Sequence, residues 1–539
     1  MGKQIVTFAL IALVVGLPFA LRKDTEVIAN PDESIVVISP HIESIRHEFG
    51  EGFRKWYKAK TGKNVQVDWR TVGGTSEIVR FIGSEYLNSF RNHWTKGLGK
   101  AWGKEVAGAF NNRRLSEDAS TLSREARDAF LGSEVGIGID LFFGGGQYDF
   151  YKQAEHGHLV DAGLLKEHPD WFRDEIIPER FAGEQFYDKE GRWIGATVSS
   201  FGILYNRDVL AVIGKENDPP EQWADLGDPA YFGQLGIADP TKSGSVTKAF
   251  EMIVQQQIQL ALGAKVQEEE AIARGWRSAM EIIQLISANA RYFSGISSRP
   301  VIDCSQGDCA AAMCIDFYGR FQQESVTRSQ QETPRLEFIT PRGGSTVSCD
   351  PIGMLRGAPH PELAKAFMTY VLSPEGQKLW NFKVGEPGGP EQYALRRAPI
   401  RRDAYQPDVA KHRSDPELNP YHGAEESGFV YHGEWTGRLF SPLRFIIKTA
   451  FIDPRNELVE AWSAIIEAEA SGRTEQAASA RAIFADLSRI DHAKAKEEVG
   501  ATLSSGDKLA EVRLAKELTI HFRNQYRKAL TVARERTPR

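Results

Sequence analysis

Apolar residues fall into short runs separated by helical stripes, and from residue 35 onward the two alternate. IVVIS (35–39) has strand length, and residues 41–61 carry Ile45, Phe49, Phe53, Trp56 and Tyr57 at the spacing of one helix face. VQVDW (65–69) alternates as a half-buried strand and ends in Gly73-Gly74-Thr75-Ser76, a turn leading into another helix. GIGIDLFFGGG (136–146) predicts a third, buried strand that stops on its glycines. This strand–helix order predicts a parallel sheet with helices on its faces. Residues 88–133 interrupt it. They are polar and basic but hold Trp94, Trp102, Phe110 and Phe130, which predicts a mostly helical insertion.

A second unit follows. GILYNRDVL (202–210) predicts a strand passing between units, and QLGIADP (234–240) a strand ending in a turn. Val246, Phe250, Ile253, Val254, Ile258 and Leu262 share one helical face. AAAMCIDF (310–317) predicts a return strand with a helix behind it to about residue 331, and LEFITP (336–341) and SCDPIGML (348–355) two more strands. Two crossings make the units lobes that share strands as a hinge. Residues 385–440, rich in Gly, Pro, Arg and aromatics, predict a loop wrapping the surface. From Pro442 the pattern is helical, with Leu458, Ala461, Trp462, Ile465 and Ile466 as its stripe. The segment 513–539, with eight Lys or Arg against two Glu, predicts a solvated helix face. The expected divisions are an export signal or anchor at 1–30, lobe one at 31–204, and lobe two at 205–315. The return to lobe one with its wrapping loop takes 316–441, and a helical region 442–539.

Bulk properties narrow the class. At roughly 150 residues per domain, 539 residues make about three folding units. A hydrophobic share of 41% and a charged share of 26% exclude a disordered or multi-spanning chain. A net charge of -6 offers no basic footprint, so nucleic acid is not an expected partner. At the N-terminus Lys3 precedes the uncharged run Ile5–Leu21, then come Arg22 and Lys23. Such a run reads as an export signal or an uncleaved anchor, with a buried helix as the alternative. Cys304, Cys309, Cys314 and Cys349 all lie far beyond it, so no lipid-carrying Cys follows. Four cysteines allow three pairings. Cys304 and Cys309 could close over the turn SQGD, or all four could be buried thiols. Zinc is disfavoured because residues 295–320 hold no His.

No G-x-x-x-x-G-K-[ST], H-E-x-x-H or G-x-S-x-G occurs. His156-Gly157-His158 is the one close His pair and reads as surface polar structure. No catalytic residue, metal ligand or cofactor is expected. What stands out are small polar residues where strands end. They are Ser39 and His41 around Pro40; Gly74, Thr75 and Ser76; Gly145; and Thr241, Ser243, Gly244 and Ser245. In open α/β sheets, ligands bind beyond the carboxyl ends of strands. Hydroxyls and N–H groups at a helix start favour an anion. Each loop alone also serves as a cap. Four of them in two units point to a bound solute.

Taken in order, Ser39-Pro40-His41, WRTVGGTS (69–76), DLFFGGG (140–146), GILYNRDVL, ADPTKSGS (238–245), AAAMCIDFYGR (310–320) and GGPEQYALRR (388–397) resemble extracellular solute-binding proteins of ABC importers. Within them the resemblance is to the type 2 branch that includes ferric-ion and sugar-phosphate receptors. It covers roughly residues 35–405, interrupted by the insertion. It implies a two-lobed α/β type 2 periplasmic-binding architecture, a strand hinge, solute in the cleft, and a periplasmic or envelope location. It also implies delivery to an ABC importer permease in the inner membrane. The ferric pattern places adjacent tyrosines after the return strand. Here the residues are Ile315-Asp316-Phe317-Tyr318, and no Tyr-Tyr pair occurs in the chain. The expected solute is therefore small and anionic, phosphorylated or carboxylated, with Asp316 orienting a hydroxyl and Tyr318 beside it. A ferric-ion receptor of the same class is the alternative. A membrane-anchored sensor built on this fold is another, and an enzyme a third, since fold does not fix function.

Overall fold

The computed structural model describes residues 31–113, 115–327 and 334–535. The apolar run Ile5–Leu21 lies outside them. Among the described residues no helix is long and apolar enough to cross a membrane.

The first sheet contains β1 (Glu33–Ile38), β2 (Val65–Arg70), β3 (Leu141–Phe143), β7 (Ile194–Ser199), β13 (Ser348–Leu355) and β14 (Ala398–Pro399), in the order β14-β7-β13-β3-β1-β2, with β4 (Leu159–Val160) also on β13. β1 runs parallel to β2 and β3, as the alternating pattern requires. β3 is shorter than 136–146. Gly138, Gly144 and Gly145 take φ of +72°, +88° and +121°, conformations that end a strand. β7 carries no period-two signal because all six of its residues are buried. A small hairpin, β5 (Arg180–Phe181) and β6 (Glu184–Gln185), stands beside this sheet.

The second sheet has β8 (Phe201–Asn206), β9 (Leu235–Ala238), β10 (Ala290–Ser294), β11 (Ala311–Ile315) and β12 (Leu336–Ile339), in the order β10-β9-β11-β8-β12. Only Ser200 separates β7 from β8, so the chain changes sheets across one residue. β8 stops at Asn206, not at 210. The Asn206 side chain accepts from the Asp208 and Val209 N–H groups and starts the helix Arg207–Val212. The return crossing falls at 340–347, later than the expected 316. β12 pairs antiparallel with β8 and keeps the chain in the second lobe until Ile339.

The C-terminal helices Phe440–Ile447, Arg455–Ala470, Thr474–Phe484 and Lys508–Arg534 share one core with the second lobe. Trp276 Nε1 donates to Ile490 O at 2.9 Å, and Trp462 Nε1 to Asn289 Oδ1 at 2.8 Å. The last helix buries Leu514, Leu518, Phe522, Tyr526, Ala529 and Ala533 in one stripe, so its basic residues solvate the opposite face only. The insertion packs Phe90, Trp94, Phe110 and Phe130 into the first lobe's core. All four cysteines are free and buried.

Candidate functional site

Between the two sheets lies a cleft of about 1130 Å³. Of the sequence-expected residues, His41, Gly74, Thr75, Gly145, Thr241, Ser243, Gly244, Ser245 and Tyr318 line it. Ser39, Ser76 and Asp316 do not.

Ser39 is fully buried, and its Oγ accepts from the His41 N–H at 3.1 Å. It orients the loop and caps no helix: the next helix starts at Glu43, after Ile42. Ser76 turns its Oγ into the protein, where it has no hydrogen-bond partner among the described residues. Asp316 holds the hinge. Its Oδ2 accepts from the Ser200 N–H at 3.1 Å and its Oδ1 from the Phe317 N–H at 2.8 Å. An Asp at the first turn of a helix, facing the one-residue crossing, serves the backbone before any solute.

In the first lobe the His41 ring meets the Phe143 ring edge-on at 4.7 Å. Burial, then Arg397 and Arg46, push its pKa well below the usual imidazole range. The neutral ring accepts from Arg397 Nη1 through Nε2 at 3.3 Å. That assignment leaves Nδ1 as the protonated nitrogen, and Nδ1 is buried with no partner among the described residues. A side chain at Gly144 would run into this ring. Gly145 meets the same limit against Thr75, whose Oγ1 would lie 2.9 Å from an added Cβ.

In the second lobe Ser243 caps the helix Gly244–Gly263, accepting from the Val246 N–H at 3.3 Å. Ser245 Oγ lies 3.1 Å away, and Ser297 Oγ donates to Ser243 at 2.9 Å. Thr241 donates both its N–H and its hydroxyl to Asp239 Oδ1, at 2.8 and 2.7 Å. Three hydroxyls thus cluster at the positive end of a 20-residue helix. The lobes approach closely here: a Cβ on Gly74 would sit 3.0 Å from Lys242 O. Tyr318 completes the inner wall, its ring 4.3 Å from that of Phe317, and burial raises its phenol pKa.

Several cleft residues carried no separate sequence signal. Arg397 is buried at the base, donating to Asp350 Oδ2 at 2.6 Å and Ser199 Oγ at 3.0 Å, with Phe317 stacked 4.4 Å away. Lys248 of the second lobe lies between Glu184 Oε1 at 2.8 Å and Glu251 Oε2 at 2.9 Å, over the Tyr431 ring at 3.6 Å. Glu184 belongs to the first lobe's hairpin, so this ion pair joins the lobes. Arg397 stands at the end of the ALRR run; the others sit on elements whose partners are remote in sequence.

The lining carries ten Lys or Arg residues against three acidic ones. Among the described residues, Lys242, Lys152, Arg113, Arg180 and Arg438 have no ion-pair partner. No group of three or more His, Cys, Asp or Glu side chains is gathered as a metal site there.

Residues 138–402 match the family model of bacterial extracellular solute-binding proteins. The chain is 28% identical over 186 residues, 34% of its length, to the phosphoglycerate transport regulatory protein of Salmonella typhimurium. That stretch spans 40% of the relative. It is 27% identical over 280 residues to the putrescine/agmatine-binding protein of Pseudomonas aeruginosa, covering 50% of this chain and 72% of the other. Among solved structures it is similar to the periplasmic binding protein AfuA of Actinobacillus pleuropneumoniae with fructose-6-phosphate bound. That likeness has 17% identity and a TM-score of 0.46, over 76% of this chain and 97% of the other. Iron-bound HitA of Pseudomonas aeruginosa gives 18% identity and a TM-score of 0.45, over 76% and 98%.

Proposed function

We propose, for a chain whose residues 138–402 match the bacterial extracellular solute-binding proteins, that the cleft reversibly captures a small anionic solute. The solute carries phosphate or carboxylate, and the loaded protein delivers it in the periplasm to an ABC importer permease of the inner membrane. The observation that carries this reading is the charge of the cleft. Five of its ten basic lining residues are held by carboxylates, and the other five, Arg113, Lys152, Arg180, Lys242 and Arg438, have no ion-pair partner among the described residues, in a chain whose net charge is -6. A walled, basic cleft concentrates anions and repels cations. The hydroxyls of Ser243, Ser245 and Ser297 and the N-terminus of Gly244–Gly263 supply donors from the second lobe. His41 Nδ1 and Thr75 supply them from the first. Each hydrogen bond to a charged group is worth roughly 1.5–3 kcal/mol, so a handful reaches the about -8 kcal/mol of micromolar binding.

The relatives divide on charge: one is named for phosphoglycerate, an anion, the other for putrescine and agmatine, which are cations. The basic lining favours the anion. Ferric ion fits less well, because burial raises the Tyr318 phenol away from phenolate and Arg397 already holds Asp350.

Thermal melts of the full chain with inorganic phosphate, 3-phosphoglycerate, fructose 6-phosphate, putrescine and ferric citrate test the reading. A phosphorylated compound should raise the melting temperature, and Ser243→Ala should shrink that rise by more than it lowers the unliganded melt. Stabilisation by putrescine or ferric citrate alone would overturn the anion assignment.

A further inference from the structure

The family match ends at residue 402, yet the cleft wall does not. Phe440, Ser441 and Arg444, on the helix Phe440–Ile447, face the helix Gln147–His156 of the first lobe. Tyr148 Oη lies 3.1 Å from Ser441 Oγ, and the rings of Tyr148 and Phe440 are 4.6 Å apart. Arg444 is fixed along one edge. Its Nε donates to Thr247 Oγ1 at 2.9 Å, and its guanidinium lies 4.6 Å over the Phe440 ring.

The other edge is unsatisfied. Arg444 Nη2 is buried with no hydrogen-bond partner among the described residues, and so is Asp149 Oδ2 of the first lobe, its ion-pair partner 3.9 Å away. The Asp149 side chain is 5% exposed. Both atoms lie beside Gly244: a Cβ there would be 3.6 Å from each. A buried donor and a buried acceptor too far apart to bond each other are costly to leave open. The group that satisfies both must accept from nitrogen and donate to a carboxylate, and a hydroxyl does both. Burial raises the Asp149 carboxyl pKa, which marks this oxygen as short of donors.

We propose that Arg444 and Asp149 form a two-sided subsite for a hydroxyl of the captured anion. The C-terminal helical region thereby sets solute specificity from outside the matched family segment. The inference rests on the anionic-solute reading above and adds the solute's chemistry, an anion bearing a hydroxyl near its charged group. Phosphate or carboxylate would lie against Gly244 and Ser243, and the hydroxyl between the two lobes, so the subsite is complete only when the lobes are closed.

Titration calorimetry of the full chain with pairs that differ by one hydroxyl tests it: 1,2-propanediol 1-phosphate against propyl phosphate, and 3-phosphoglycerate against 3-(phosphonooxy)propionate. The parent should bind at least one hydroxylated member about tenfold or more tighter than its deoxy partner. Arg444→Gln and Asp149→Asn should each erase most of that ratio. Should Arg444→Gln melt early, Asp149→Asn, isosteric and on the other lobe, carries the same test. A ratio near one in the parent, or one unchanged in Asp149→Asn, would mean that water alone bridges the pair and would overturn the subsite while leaving anion capture standing. Failure of the parent to bind any of the four anions would overturn both.

Discussion

Replacing Lys248 by Met should separate the energetics of the lobe junction from those of the cleft. The ammonium is 11% exposed and the carboxylates of Glu184 and Glu251 1% each, so the three charges share a nearly dry site. Two carboxylates at ion-pair distance and an aromatic face hold one cation there. Its removal leaves two buried carboxylates facing each other, and breaking a buried pair from one side costs about 3–5 kcal/mol. The pH dependence is the sharper forecast. Burial already raises the Glu184 pKa above its ordinary value, with Lys248 as the chief opposing influence. Without Lys248 it rises further. A carboxyl whose folded pKa is raised contributes stability below its unfolded pKa and loses it as pH climbs through the folded one. The deficit of Lys248→Met against the parent should therefore be largest at pH 7.5. It should shrink toward pH 5 by up to about 1.4 kcal/mol per unit for each carboxyl that takes up a proton. Urea unfolding at pH 5, 6, 7 and 7.5 measures it. A deficit below about 1 kcal/mol at pH 7.5, or one that does not change with pH, would refute the reasoning.

His41 and His158 are buried, with pKa values well below the usual imidazole range, and His156 is brought down to about 4, in each case chiefly by burial. The unfolded chain takes up these protons near pH 6.5, so stability falls as pH drops below that, by about 1.4 kcal/mol per unit per ring. His158→Gln should lose stability less steeply than the parent between pH 6.5 and 5, and parallel slopes would contradict this. Phe484 is buried among the C-terminal helices, its ring 5.6 Å from Trp462, and its carbonyl accepts from Gln284 Nε2 of the second lobe at 2.8 Å. Phe484→Ala should cost about 3–5 kcal/mol in urea unfolding, and a change under about 1 kcal/mol would mean that the helices are an appendage. The four cysteines are buried, and burial raises every thiol pKa. A thiol-reactive dye should find none within minutes in the native protein and all four after denaturation; fast native labelling would count against this packing.

The fold was legible where local pattern and tertiary role agree. SCDPIGML forms β13 over the same eight residues, and the parallel pairing of β1 with β2 follows from their shared strand–helix order. Ser243-Gly244-Ser245 read correctly as a helix start because capping chemistry is local. Asp316 misled for the complementary reason. A carboxylate after a strand looks like a ligand, and only the three-dimensional approach of Ser200, 116 positions away, gives it a structural task. Arg397 went unread because its ion-pair partner lies 47 positions earlier and its serine 198. Lys248 sits amid an apolar stripe, where no local pattern reveals that Glu184 will neutralise it. The C-terminal stripe was plain, but a stripe does not name the surface that covers it.

The sharing of one core between Phe201 and Ala533 has a consequence for how the protein is born. At a synthesis rate of roughly 5–20 residues per second, the strands of the second sheet wait on the order of tens of seconds for the helix that completes their packing. Throughout that time the emerging chain exposes apolar surface and cannot lock into its final form. The first sheet waits too, since β14 arrives only at Ala398. A polypeptide arranged this way stays pliable for most of its synthesis, the state in which a membrane channel can thread it and a holding chaperone can grip it.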